Sequence, residues 1–386
     1  MVPRPNRKRA AQSAKESRGE RGNFVSEWYG HRVYPMVAGG RPVLADQKQQ
    51  RCPFLSRATV QETTCVKPPN STGVCTISSG SNGPRQDWLV CPHRVLGSAL
   101  LDDAAARLFD VRPGRELRTF AAPTVAQRET RSRINRMLRN GERVVVYLRN
   151  KLGGEISVPQ TDRSPEFSFD ITMVELTLDS GALKFGRFGV LEVQTMDFHG
   201  TYQRAVQNLQ HALRLHDRKF HSMVSANPRW LSDRVEGPNI ANVFKRTFYQ
   251  MLLKFQIGAD ESSAGCVLAV PAAVWDSWQR HLGKPELGTR DGGGATLLKP
   301  GVQSPARVPG WIFVFDINAA ADSSPNEIVL NRVIATDAES FAYFATKVAP
   351  EAAITEYGAA ATVFLAIRRR LREYWPELPV DISTRR

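Results

Sequence analysis

A mixed α/β domain with a cysteine-bearing module at its front is what this sequence predicts, and three features predict it. Four cysteines, Cys52, Cys65, Cys75 and Cys91, fall within one forty-residue stretch, and the chain has only one more, Cys266. From about Val95 onward, β-branched runs alternate with segments of helical period. No apolar run reaches the about 18–20 residues that a membrane helix needs. The 386 residues are enough for more than one domain. Three parts are expected, over residues 1–22, 23–95 and 96–386.

Residues 1–22 hold Arg4, Arg7, Lys8, Arg9, Lys15, Arg18 and Arg21 against Glu16 and Glu20. That composition predicts a disordered basic arm. Order is expected from Asn23, because Phe24, Trp28, Tyr29, Val33 and Tyr34 supply apolar mass. Pro68-Pro69 and the Ser/Gly stretch at 78–83 make the cysteine segment loop-rich. Residues 123–138 fit a helix with proline near its start. Residues 144–148, 155–158, 167–178 and 188–196 read as strands. Tyr202, Ala205, Val206, Leu209 and Leu213 recur with helical spacing, which puts a helix over 201–217. A second helix is expected over 239–255, buried strands over 267–270 and 311–317, and a terminal helix with a basic face over 357–374. The Gly/Pro-rich stretch 291–310 reads as an exposed loop.

Clustered thiolates indicate a metal or disulfides. No apolar signal-peptide core follows Met1, so a cytoplasmic location is expected, where reducing conditions disfavour disulfides. The expectation is a four-thiolate structural metal site; four unrelated buried cysteines are the alternative. The intervening twelve, nine and fifteen residues depart from the paired spacing of common zinc modules. A metal there would supply stability that loop-rich sequence cannot draw from a large core.

The formal net charge is +14, from 52 Lys+Arg against 38 Asp+Glu. A surplus of that size points to a polyanionic partner, nucleic acid first, against the alternative of charge that serves solubility alone.

The strands expected over 167–178 and 188–196 are joined through Asp179-Ser180-Gly181, a turn signal. Asp170 and Glu192 are equidistant from Gly181. In an antiparallel hairpin such residues face each other on one side. Period-two alternation puts Gln194 on that side as well. Two carboxylates and an amide then converge on one cation, and oxygen ligands of this kind suit Mg²⁺. A register slip of one residue breaks the arrangement. The alternative is a solvated strand face with ordinary surface carboxylates. Gly153-Gly154 places Glu155 where backbone can approach closely, and Asp162 and Glu166 lie between it and the hairpin.

The strings around these residues, GGEIS at 153–157, SPEFSFD at 164–170 and GVLEVQTMDFHG at 189–200, resemble the core of the type II restriction endonucleases that include NotI and EagI. FVSEWYGHRVYP, CPF, CVK, DWLVCP, EGPN, NVFKRTFYQM and WIFVF extend the likeness over roughly residues 23–316. The resemblance implies a restriction-endonuclease-like mixed sheet flanked by helices, of the Pro-Asp…(Asp/Glu)-x-Lys superfamily. It implies a catalytic set of Glu155, Asp170, Glu192 and Gln194, with Mg²⁺ on Asp170 and Glu192. Gln194 stands where the superfamily usually has Lys, as it does in that group. It implies iron on Cys52, Cys65, Cys75 and Cys91, although sulfur ligation by itself allows zinc too. A homodimer cutting double-stranded DNA at a GC-rich palindrome, in a bacterial restriction–modification system, is the activity it implies.

The reaction so expected is hydrolysis of a DNA phosphodiester, with Gln194 orienting the attacking water. Cutting both strands of a palindrome asks for a twofold dimer. Arg149, Lys151, Asp197, His199, Tyr202 and Arg204 lie near enough in sequence to touch DNA, as base readers or as phosphate contacts. Two other classes stand beside this one. A non-catalytic DNA-binding protein needs no divalent cation, and a hydrolase of RNA or small phosphate esters gives no sequence-specific fragments.

Overall fold

The structure, a computed structural model, describes residues 22–81, 84–96, 98–111, 117–290, 293–303, 307–318, 325–355 and 358–377. The expected basic arm therefore lies outside the described residues, apart from residue 22.

First in the chain come β1 (Asn23–Trp28), β2 (His31–Arg32), β3 (Val74–Ser79) and β4 (Gln86–Leu89), a sheet in the order β2-β1-β3-β4. Next are β5 (Leu117–Ala121), β6 (Arg143–Arg149) and a separate ribbon of β7 (Ile156–Val158) with β8 (Phe167–Phe169). Then follow β9 (Ile171–Asp179), β10 (Ala182–Val193), β11 (Ser263–Pro271), β12 (Gly288–Thr289), β13 (Ala295–Leu297), β14 (Gly310–Ile317) and β15 (Ile328–Thr336). Without the ribbon, these strands form one nine-stranded sheet in the order β12-β13-β15-β14-β11-β10-β9-β6-β5. It is mixed: β10, β11 and β14 run parallel, while β9 is antiparallel to both β10 and β6.

Alternation decides what covers each face of this sheet. Val190, Cys266, Leu268, Val270, Ile312 and Val314 enter one buried cluster; Leu191, Val267, Ala269, Phe313 and Phe315 enter another. Neighbouring residues of one strand point to opposite faces, so helices must cover both. The helices Gln203–His216, Phe220–Ala226 and Ile240–Gly258 cover the first face, together with Phe24, Val25, Trp28 and Ile77 of the small sheet. The helices Pro53–Thr59 and Ala99–Leu108 cover the second. The segment before residue 95 thus has its own sheet but contributes to both clusters of the large one.

A buried ion pair ties the layers together. Arg94 donates to both oxygens of Glu27, at 2.9 and 3.0 Å, and also to the Asn326 carbonyl. The Asn326 amide in turn donates to Glu27 at 3.1 Å. The register of β1 on β3 shifts on either side of Glu27, and such an irregularity can turn a polar side chain inward.

The expected strand over 167–178 is broken at Asp170, where the chain leaves the ribbon and enters the large sheet. Pro123 sits in a 3₁₀ turn, and the helix that follows runs from Arg128 to Arg139. The stretch 291–310 is not all loop: Ala295–Leu297 is a strand, and Leu297 is fully buried. Residues 291–292 and 304–306 lie outside the described ones. Helices Arg41–Lys48, Pro53–Thr59 and Ala99–Leu108 and strand β15 were not legible beforehand. Among the described residues, no helix is long and apolar enough to cross a membrane.

Candidate active site and thiol cluster

The β9–β10 hairpin turns through Ser180 and Gly181, both with positive φ (52° and 83°), as a two-residue hairpin turn of type I′ requires. Next to the turn Asp179 faces Ala182, and the pairing continues in step to Leu176 facing Phe185. Carried on unchanged, that register leaves Asp170 opposite Leu191. It does not continue, because a bulge between Phe185 and Phe188 inserts one residue into β10. Beyond the bulge Phe188 faces Val174 and Leu191 faces Ile171, so the next pair outward is Glu192 with Asp170. Gly186 lies in the bulge, where an added Cβ would come within 3.1–3.2 Å of Glu175.

The two carboxylates hold each other's backbone. The Val193 amide donates to Asp170 Oδ2 at 2.9 Å, and the Asp170 amide donates to Glu192 Oε1 at 3.2 Å. Gln194 shares their face, as alternation requires. Its Oε1 accepts from Thr247 at 2.7 Å, and its Nε2 donates to the Thr195 carbonyl at 2.6 Å. Asp170, Glu192 and Gln194 line one cleft of about 170 Å³ with Ser168, Thr247 and Lys254.

Lys254 was not anticipated. Its Nζ lies 2.6 Å from Glu192 Oε2, and the residue is 4% exposed. Thr247 and Lys254 are seven residues apart on the helix Ile240–Gly258, hence on one face of it. This helix is the one set across the carboxylates. The sequence does carry a signal, a lysine inside the apolar run MLLKF (251–255), since a buried ammonium needs an anionic partner.

Burial pushes the Glu192 carboxyl up to about 7, the Asp170 charge adds to that rise, and Lys254 opposes it. The folded protein therefore binds this proton more tightly than the unfolded chain, whose ordinary value is 4.5. Its contribution to stability is full below 4.5 and is lost as pH rises to about 7. In buffer free of divalent cations, Glu192→Gln should lack that loss. Denaturant midpoints of both proteins across this range test it, and parallel profiles refute the assignment.

The other residues singled out scatter. Glu155 is exposed at the head of the ribbon and does not line the cleft, though its charge reaches Arg149. Asp162 and Glu166 are exposed. Arg149 is 4% exposed and donates to the Pro92 carbonyl at 2.6 Å, while its Nε is buried without a partner. Lys151, His199 and Arg204 are exposed, and Asp197 is ion-paired with Arg246. Tyr202 is half-buried, with the Lys67 ammonium 5.9 Å from its ring centre.

The four N-terminal cysteines come from different elements. Cys52 stands just before the helix Pro53–Thr59, Cys65 is in a loop, Cys75 is in β3 and Cys91 follows β4. All are free thiols, and Cys52, Cys75 and Cys91 are buried. Burial pushes the Cys52 thiol up to about 12, with the Cys91 and Cys65 charges raising it further. Burial likewise raises Cys75 and Cys91, while Lys67 pulls both back. The four sulfurs thus share one electrostatic neighbourhood, with Lys67 and Arg149 as its nearby cations. No group of three or more His, Cys, Asp or Glu among the described residues stands in position to hold a metal.

On this fold, then, sit a pair of acids with an amide in one cleft and a cluster of thiols between cations. The chain matches no family model and no curated protein.

Proposed function

We propose that the chain is a type II site-specific deoxyribonuclease of restriction-endonuclease-like fold, hydrolysing duplex DNA with Mg²⁺ held by Asp170 and Glu192. The observation that carries this reading is the bulge that sets Asp170 opposite Glu192, with Gln194 beside them in one cleft. Two carboxylates and an amide are oxygen donors of the type a small hard cation takes. When bound, the cation would lower the pKa of a water and offset charge on the phosphate. Gln194, fixed by Thr247, orients the attacking water through its amide. Lys254 keeps Glu192 in place from the helix side and adds positive charge beside the position of the phosphate. The surplus of basic residues supplies the attraction to the backbone. A twofold dimer cuts both strands of a palindromic, GC-rich site, and a bacterial cytoplasmic restriction–modification system is its setting.

The four thiols are the structural half of the proposal. Cys52, Cys65, Cys75 and Cys91 would hold iron or zinc, since their sulfurs share one electrostatic neighbourhood. Four thiolates on a divalent ion leave a net negative charge, which Lys67 and Arg149 offset. Metal analysis reads this directly, with about one Fe or Zn per chain expected.

The test of the activity is incubation with a defined plasmid, with Mg²⁺ or with EDTA. Discrete fragments with Mg²⁺ alone are expected. Binding without cleavage under both conditions replaces the reading with a non-catalytic DNA-binding protein. Cleavage of RNA or small esters, without discrete DNA fragments, replaces it with a different hydrolase.

A further inference from the structure

A groove of about 800 Å³ opens beside the carboxylate cleft. Three chain paths run from one to the other. Leu268 lines the cleft and Ala272 the groove, four residues further along the chain. Thr247 lines the cleft and Ile240 the groove, seven residues apart on one helix. Gln194 lines the cleft, and His199, five residues on, lines the groove. At about 3.3 Å per strand residue and 1.5 Å per helix residue, the first two paths put the separation at roughly 10–13 Å. That is three to four base-pair steps at about 3.4 Å each. Both openings lie along the sheet edge where the parallel strands β10, β11 and β14 end.

The walls of the groove are held in place. The His199 amide donates to the Gly237 carbonyl at 3.0 Å, and the Asn239 amide to the Asp197 carbonyl at 2.8 Å. The His281 ring stacks on Phe244 with centres 4.7 Å apart. The Arg85 guanidinium lies 5.2 Å from the Phe24 ring centre and 5.4 Å from that of Tyr34. Both cations and acids line the groove: Arg85 and Arg280, Asp276 and Asp316. Asp276 and Arg280 are exposed. A surface that only grips phosphates gains nothing from carboxylates, which repel them. Base edges reward both signs, because Arg donates to guanine O6 and N7 and Asp accepts from cytosine N4.

Resting on the nuclease reading above, we propose that this groove reads base pairs in the major groove of duplex DNA, with Arg280 on guanine and Asp276 on cytosine. The groove, three to four steps from the cut, then sets the recognition sequence, while the carboxylate cleft sets the chemistry.

The test selects bound sequences from a randomised DNA duplex pool, using Asp170→Ala chain so that nothing is cut. The parent should select a GC-rich motif. Arg280→Ala and Asp276→Ala should each relax one base-pair position, lowering discrimination there by about 10- to 100-fold. Asp276→Asn should shift its position from cytosine towards adenine, which an amide pairs with through two hydrogen bonds. Both residues are exposed, and thermal unfolding checks that the variants fold. Variants that keep the parent's motif and discrimination overturn the inference, as does uniform weakening on every sequence. If the wild-type chain cuts a plasmid into discrete fragments with Mg²⁺ while the Asp170→Ala chain selects no motif, the groove assignment falls and the nuclease reading stands. If it neither cuts nor binds duplex DNA, both fall.

Discussion

Alanine at Asp170 or at Glu192 is expected to lower cleavage of duplex DNA by roughly 1,000-fold or more. Each substitution removes one of two carboxylates that face each other across the hairpin and line a single cleft. A hard cation with half its protein ligands gone is no longer fixed against the scissile phosphate. Binding of the same DNA should persist, since the substitutions leave the surplus of basic residues untouched. Binding by the alanine variants is expected to equal or exceed that of the wild type, because a carboxylate that repels phosphate has gone. Glu192→Ala also leaves the buried Lys254 ammonium without its partner, so its folding should be checked beside its activity. Asp170→Ala carries no such complication. Plasmid cleavage and gel-shift binding, measured side by side, decide the matter. Near wild-type cutting by both variants would show that other residues do the chemistry.

Glu27→Ala should cost about 3–5 kcal/mol of folding stability, far more than its distance from the cleft suggests. Glu27 and Arg94 are fully and almost fully buried, and Glu27 also accepts from the Asn326 amide. Removing the carboxylate leaves the Arg94 guanidinium desolvated and unneutralised between the small sheet and the loop before β15. An exposed pair makes the control: Lys184 and Asp179, at the tip of the hairpin, are both more than half exposed. Lys184→Ala should change stability by about 1 kcal/mol or less, since solvent screens such pairs. Urea unfolding midpoints of the two variants give the comparison. A loss at Glu27 no larger than at Lys184 contradicts the role assigned to the pair.

The sequence by itself determined the elements whose information is local. Helical spacing of Ala205, Val206 and Leu209 marks a helix found at Gln203–His216, a β-branched run marks β6, and buried-type apolar runs mark β11 and β14. Alternation alone put Glu192 and Gln194 on one face, and their shared cleft follows from it. Equal spacing from Gly181 pairs Asp170 with Glu192, and in the structure two compensating features keep that pairing. The two-residue turn starts the hairpin one step out of that register, and the bulge at Gly186-Arg187 restores it. A bulge is set by what packs on the strand, here Glu175 against Gly186, and leaves no periodic mark in the sequence. Lys254 and Thr247 reached the site from a helix more than fifty residues away in sequence, so only packing could bring them to Glu192 and Gln194. The same holds for Glu27 and Arg94, sixty-seven residues apart in sequence and joined where two layers meet. Period and turn chemistry act between neighbours along the chain, whereas buried charge must find its partner wherever the fold places one. Tertiary structure therefore decided the partners of these charges.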